Sequence, residues 1–400
     1  MDQGIRQPVH SFPTAMFAVL WLVGWTLRVP VLAAPPLATR MADTFGLDEA
    51  GIGALTMLPV VAIAFGAIPA ALIIARFGLK VAIVGGVLLM AVASTARGYA
   101  PSGVMLFSVS VLMGLGVAVF QTALPAATRI WTPSHIALGN AVYLNGMMVG
   151  EMSGAGLTLP LVLPMAGGDW QMALLLWSIP IVLIAFVAAL VRPPAGASGL
   201  PETEAGDVSS NTSLPRWNDI YVWQYGMLLA GSVVVFYVIN SYVGTILQAR
   251  GETAALAWLL LVYNAMPLLA SFSVLAAPKW IGMRGPIAAS AILAAAGLAG
   301  FAFLSGWSSW VAALVTGFAA SVELILLVSL PAAIAKGRAV VRLSAGMTLV
   351  GYGIAFVLPL VGGWLAKRID WMELALIPSL VFAIAVLFAI GREHRYPKYT

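Results

Sequence analysis

The stretch Trp21-Leu-Val-Gly-Trp25-Thr-Leu-Arg28-Val-Pro30 sets a charged residue deep inside the first long apolar run of the chain. Counted from Phe12, Arg28 falls roughly 24 Å along a helix, well inside a hydrocarbon slab about 30 Å thick. A guanidinium cannot shed its proton, and an arginine at the centre of a spanning helix costs on the order of 2.5–3.5 kcal/mol even on mild insertion scales. Something must therefore face it. Trp21, Trp25 and Arg28 recur at i, i+4 and i+7, so a straight helix stacks the guanidinium on indole. Pro30 brings no N–H to the carbonyl of Thr26, which predicts a kink beside the charge. The pattern points to a binding site for an anion, with a structural arginine paired to a carboxylate on another helix as the alternative.

The surrounding composition is that of a helical protein crossing a membrane many times. Of 400 residues, 61% are hydrophobic and 9% charged, with a mean hydropathy of +0.99, too little polar surface for a soluble domain. The first apolar run is too long for a cleavable signal and has no small-residue cleavage site, so it is expected to stay as a span. With no cysteine, disulfides, thiolate metal sites and cysteine nucleophiles are excluded. His10, His135 and His394 fall in loops or near termini without metal-ligand spacing, so neither a metal nor a cofactor is expected.

Twelve apolar runs of spanning length can be counted, near 13–38, 51–75, 79–97, 103–128, 137–162, 170–192, 218–245, 254–277, 285–304, 309–332, 341–366 and 372–391. One connection is long. Residues 193–216, rich in Pro, Gly, Ser and acidic residues, have linker composition and divide the chain into six-helix bundles at 1–192 and 217–400. Placing both termini on one side gathers fourteen of the basic residues there, among them Arg76, Lys80, Arg284 and Lys336. Only Arg40, Arg97, Arg250, Lys367 and Arg368 fall opposite. That bias makes both termini cytoplasmic in a bacterial inner membrane and explains the net charge of +5 without nucleic acid.

Internal repetition supports two related halves. Leu124-Pro-Ala-Ala127 returns as Leu330-Pro-Ala-Ala333, Leu159-Pro-Leu-Val162 as Leu358-Pro-Leu-Val361, and Gly78-Leu-Lys80 as Gly282-Met-Arg284, in one order and at nearly one offset. Polar residues are shared unevenly. Spans 3, 6, 9 and 12 are almost bare and suit lipid-facing positions, whereas spans 1, 4, 5, 7, 8, 10 and 11 suit the wall of a central cavity.

The candidate binding residues on those seven spans are Arg28 with Trp21 and Trp25, Gln121, Tyr143, Tyr237, Asn240, Tyr242, Asn264 and Tyr352. Two carboxylates join them. Asn140, Tyr143, Met147 and Glu151 share one helical face, and Glu323 lies in the middle of the tenth span among apolar neighbours. A carboxyl held away from water can exchange a proton between two sides, so Glu151 and Glu323 are candidates for proton coupling, Glu151 ahead of Glu323; neutralising Arg28 is the alternative role. Gly146, Gly150 and Gly154 form a small-residue ridge that lets another helix pack closely.

Twelve spans in two repeats, a long central loop, and Ala75-Arg76-Phe-Gly78-Leu-Lys80 between spans 2 and 3 resemble the major facilitator superfamily. More narrowly, Leu27-Arg28-Val-Pro30 with Ala34-Pro-Pro-Leu37, Leu55-Thr-Met-Leu-Pro59, Gly114-Leu-Gly-Val-Ala118 and Gly156-Leu-Thr-Leu-Pro160 resemble the cyanate and 2-nitroimidazole porters. That family's asparagine before Leu-Arg is Thr26 here, and Glu151 stands where a small neutral residue is expected. The resemblance implies a monomeric secondary transporter that moves a small anion, cyanate-like or a small carboxylate, with protons by alternating access. Gly146-x-x-x-Gly150-Glu151-x-x-Gly154-Ala155 also resembles the glycine motif of drug/proton antiporters, which implies export of nitroimidazole-like or other small drugs instead. No Ser/His/Asp, metal or paired-acid constellation suggests an enzyme.

Overall fold

A computed structural model describes residues 14–132, 135–191, 217–335 and 338–390. The linker at 193–216 lies outside the described residues, as do Arg6, His10, Arg192, Arg216, Lys336, Arg392, His394, Arg395 and Lys398. The described residues are helical throughout and form no strand. This is the expected consequence of apolar sequence, because only intra-segment hydrogen bonds satisfy a spanning backbone in lipid.

The first span is α1 (Thr14–Thr26), α2 (Val29–Leu32), a 3-10 turn at Pro35–Leu37, and α3 (Ala38–Phe45). Then come α4 (Glu49–Phe77), α5 (Leu79–Gly98), α6 (Gly103–Trp131), α7 (Ile136–Leu157) continuing through a π turn into α8 (Leu163–Met165), and α9 (Trp170–Leu190). The second six are α10 (Ile220–Ala249), α11 (Leu256–Ala276), α12 (Arg284–Phe303), α13 (Gly306–Ile334), α14 (Arg338–Ile369), and a 3-10 turn leading into α15 (Ile377–Leu387). Four of the long helices start at a side-chain cap, where Asp48, Ser102, Asp169 or Asp219 accepts a first-turn amide.

Among the described residues eleven stretches are long and apolar enough to cross a membrane, and a further apolar helix, Met372–Leu387, is shorter. Its first five residues are 3-10, which rises about 2.0 Å per residue, so the element still reaches roughly 26 Å, close to the hydrocarbon thickness. The first span also runs to Phe45 rather than ending near residue 38, because α3 continues past Pro35-Pro36 with a polar face that reads as loop.

The repeat is visible in the turns. Gly78, the sole residue between α4 and α5, has φ +82°, and Gly282, just before α12, has φ +81°, a region that side chains rarely enter. Packing across the sequence halves is paired in the same way: α4 packs on α14 and α7 on α11, and these two contacts interchange under a six-span shift. Exposed large side chains lie on α5, α9, α12 and α15, Val92, Phe186, Ile292 and Val381 among them, but equally on α11 and α14, whose apolar windows are only 39% buried, so exposure does not set spans 3, 6, 9 and 12 apart. The opposite case is α10, 94% buried over its apolar window, which makes the seventh span central.

Candidate functional site

Pro30 does more than kink the first span. Leu27 N bonds Gly24 O in a tight 3.0 Å turn, and Arg28, with φ −121° and ψ −27°, is the residue from which α2 restarts. The break takes Arg28 off the Trp21/Trp25 stripe. Among the described residues the guanidinium lies over no aromatic ring, which corrects the stacking expected of a straight helix; the cation–ring contacts are made by Arg76, Arg250 and Arg368. Trp21 and Trp25 instead donate to α7, Nε1 of Trp21 to Asn145 Oδ1 at 2.9 Å and Nε1 of Trp25 to Ser153 Oγ at 3.0 Å.

The glycine ridge of α7 is what lets these partners meet. A Cβ on Gly146 or Gly150 would run into the backbone of Trp21 or Trp25, and one on Gly154 would lie 2.8 Å from Val29 O. From the other side, a Cβ on Gly24 would strike the backbone of Tyr143. Helix packing is therefore the role the ridge plays, and its register sets Glu151 beside Arg28.

Arg28 Nε donates to Glu151 Oε1 at 3.1 Å and Nη1 to Gln121 Oε1 at 3.4 Å, while Nη2 has no hydrogen-bond partner among the described residues. The two charged side chains are 9% and 10% exposed, so the pair is nearly desolvated, and each charge depends on the other. Tyr237 and Tyr352 are close enough to interact electrostatically with Arg28. Two cavities meet at the arginine and Tyr352. One, with about 530 Å³ of empty space, is lined by Glu151, Met147, Tyr237, Pro267, Ser321 and their neighbours; the other, about 400 Å³, is lined by Val60, Ala64, Gln121, Thr122 and Thr348 among others.

Lining thus comes from spans 1, 4, 5, 7, 8, 10 and 11 and from span 2, which had been left out because it contributes only small apolar residues such as Val60, Ile63, Ala64 and Ala67. Of the sequence candidates, Arg28, Gln121, Tyr237, Tyr352 and Glu151 come together. The others do not. Asn264 Nδ2 donates to Asn240 Oδ1 at 2.9 Å, a buried staple between α10 and α11. The Tyr242 hydroxyl lies 2.9 Å from Glu49 O and 2.7 Å from Pro359 O, joining α4, α10 and α14 away from the arginine. Tyr143 lines neither cavity, and Asn140 on its face accepts from Thr128 instead. Glu323 is 2% exposed, leaves Oε1 without a partner, and lines neither cavity although Ser321 and Leu324 beside it do.

Sequence reasoning missed Arg97. The sequence reading places it at the end of an almost bare third span, as a topology charge opposite the termini, yet Arg97 sits in the last turn of α5 at 1% exposure. The available signal was its place inside the apolar run before Tyr99-Ala-Pro101, with no acidic residue near it in sequence.

Among the described residues no cluster of side chains could hold a metal ion. No curated protein matches the chain. Solved transporters share its fold at low identity. A bacterial homologue of the human lysosomal transporter Spinster, inward-facing and unoccupied, is 16% identical with a TM-score of 0.71 over 95% of this chain and 96% of that one. The nucleoside transporter NupG is 13% identical with a TM-score of 0.72 over 95% and 99%. The xylose transporter XylE from E. coli, partially occluded and inward open, is 12% identical with a TM-score of 0.68 over 94% and 98%. The sequence profile of the Major Facilitator Superfamily matches residues 16–340, most of the length, and the chain belongs to that superfamily, as a transporter and not an enzyme.

Proposed function

We propose that this transporter moves a small anion, cyanate-like or a small carboxylate, together with a proton, by alternating access around Arg28. The observation that carries the reading is the Arg28–Glu151 pair set in a cavity wall with Arg28 Nη2 unengaged. Nη2 is a ready donor for an incoming anion, and a planar fork is the group that recognises carboxylates and similar anions. An anion that enters with Glu151 still ionised brings an uncompensated charge into a dry site. If Glu151 takes a proton as the anion takes Arg28, the site stays neutral and the two move together.

In this reading residues 1–192 and 217–400 are two bundles joined by the 193–216 linker and rock about the site as a monomer in a bacterial inner membrane, both termini cytoplasmic. The α4–α14 and α7–α11 contacts are the surfaces that slide. The likeness of Leu27-Arg28-Val-Pro30 to the cyanate and 2-nitroimidazole porters supports the choice of substrate. The test is uptake of radiolabelled cyanate and acetate into proteoliposomes with an imposed pH gradient. Accumulation that collapses with the gradient supports anion–proton symport, and none for either anion rejects it.

One observation favours a second reading. Met147, Met148, Phe236, Leu324 and Ile325 give the cavity beside Glu151 and Tyr237 an apolar wall suited to a nitroimidazole or another small drug exported against protons. Efflux of labelled 2-nitroimidazole driven by an opposing pH gradient, with no anion uptake, would select it.

A further inference from the structure

Little within the first span holds the four-residue helix that carries Arg28. Arg28 O accepts both Val31 N and Leu32 N, and Ala33 N bonds Val29 O. Pro30 removes the donor of Thr26, and Pro35 and Pro36 remove the donors four residues beyond Val31 and Leu32. A helix this short, broken at both ends, has no cooperativity of its own, so contacts from other spans must fix it. On one side stands Gly154 of α7, close against Val29.

The second hold is Arg97. Its Nη1 donates to Pro30 O at 2.6 Å and lies 3.3 Å from Met113 Sδ. Nε and Nη2 are buried with no partner, and no carboxylate among the described residues pairs with it. A guanidinium buried without a counter-charge is costly, and a hydrophobic side chain would fill the same space more cheaply. The short charge-assisted bond to a carbonyl is the one strong polar interaction it makes.

We propose that Arg97 is a positioning residue for Arg28: reaching across from the third span, it pins the carbonyl two residues after Arg28 and so fixes the direction in which the break presents that arginine to Glu151 and Gln121. The α7 glycines set how close the first span lies, and Arg97 sets the rotation of the segment after the break. The residue acts through Arg28 and need not touch substrate. Only the second readout below rests on Arg28 being the binding residue.

The experiment uses the full chain, purified as wild type and as Arg97→Lys, Arg97→Met and Arg97→Gln. Hydrogen–deuterium exchange of the amides between Leu27 and Leu37 needs no substrate. In Arg97→Met these amides should exchange about tenfold faster while those of α9 and α12 are unchanged, and Arg97→Lys, which keeps a cationic donor, should restore protection. Cyanate affinity should weaken about tenfold in the methionine variant and recover in the lysine variant. If Arg97→Met does not fold, Arg97→Gln, with a neutral donor, should fall between wild type and fully lost protection. Unchanged exchange at 27–37, a rise spread evenly over all spans, or a lysine variant as defective as the methionine one would each overturn the proposal. Wild-type protein that fails to bind cyanate counts against the anion reading alone, because the exchange result still decides the role of Arg97.

Discussion

Replacing Glu151 with glutamine tests the coupling idea at its centre. The amide keeps an oxygen for Arg28 Nε but removes the charge, which sits 3.1 Å from the guanidinium. At an effective dielectric of about 20 the pair attraction at that distance is about 5 kcal/mol, and breaking a buried pair costs about 3–5 kcal/mol in practice. The hydrogen bond that the amide retains to a charged donor returns about 1.5–3 kcal/mol, so a net loss of roughly 2 kcal/mol of stability is expected and the protein should still fold. The anion then no longer competes with a carboxylate for Arg28. A relief of about 2 kcal/mol makes binding about 30-fold tighter. In wild type, anion binding that takes up one proton tightens as pH falls, by at most about tenfold per unit. With glutamine the affinity should be flat across pH, gradient-driven accumulation should vanish, and exchange between equilibrated pools should survive. Scintillation-proximity binding of labelled cyanate from pH 5 to 8, with counterflow on the same preparation, measures all three. A glutamine variant that still accumulates cyanate down a proton gradient refutes Glu151 as the carrier and leaves it as the counter-ion of Arg28.

Arg28→Lys should abolish anion binding, since a single ammonium nitrogen cannot occupy the separate Nε and Nη1 positions while presenting a coplanar donor to the anion; an unchanged affinity would contradict the fork. Glu323→Gln should leave pH-driven uptake within about twofold of wild type because the acid lines neither cavity, so a loss as large as at Glu151 would move the coupling role to it. At the start of α4, Tyr242→Phe removes a hydroxyl whose one hydrogen serves Glu49 O and Pro359 O, and a loss of about 1 kcal/mol shifts a two-state equilibrium about fivefold. Spin labels on cysteines introduced into this cysteine-free chain, one on α4 and one on α14, should report a larger separated population, and an unaltered distance distribution would remove Tyr242 from the closing contact. Gly363→Ala should push the same equilibrium further, because its Cβ would lie 2.6 Å from Glu49 O; unchanged populations would show that the helices yield instead.

Much of the fold was legible because a lipid environment leaves few choices. Length and apolarity mark the spans, and the failures have local causes: α3 was cut short by its polar face, and Met372–Leu387 reaches across with fewer residues because it opens as a 3-10 turn. The repeated Leu-Pro and Gly motifs suggested a paired arrangement, and Gly78 and Gly282 match in conformation, both with a positive φ that suits glycine. What periodicity could not supply was the identity of a neighbour. Tyr242 and Tyr143 carry the same side chain as Tyr237 and Tyr352, yet only the latter two stand at the arginine. Asn240 and Asn264 looked like cavity residues and satisfy each other instead.

The two buried arginines explain why the site was only half visible. Arg28 announced itself because an ionised group in the middle of an apolar run demands a partner, and Glu151, the charge on the next glycine-lined helix, was findable by the same demand. Arg97 makes the demand from the end of its helix, where a basic residue reads as a topology signal or as a favourable helix C-terminus. Its partner is not a side chain but the carbonyl of Pro30, an acceptor that no pattern of residue types records. The same proline that breaks the first span thus supplies the group that anchors the break, and the charge of Arg97 marks a demand set by backbone geometry rather than by a second ion.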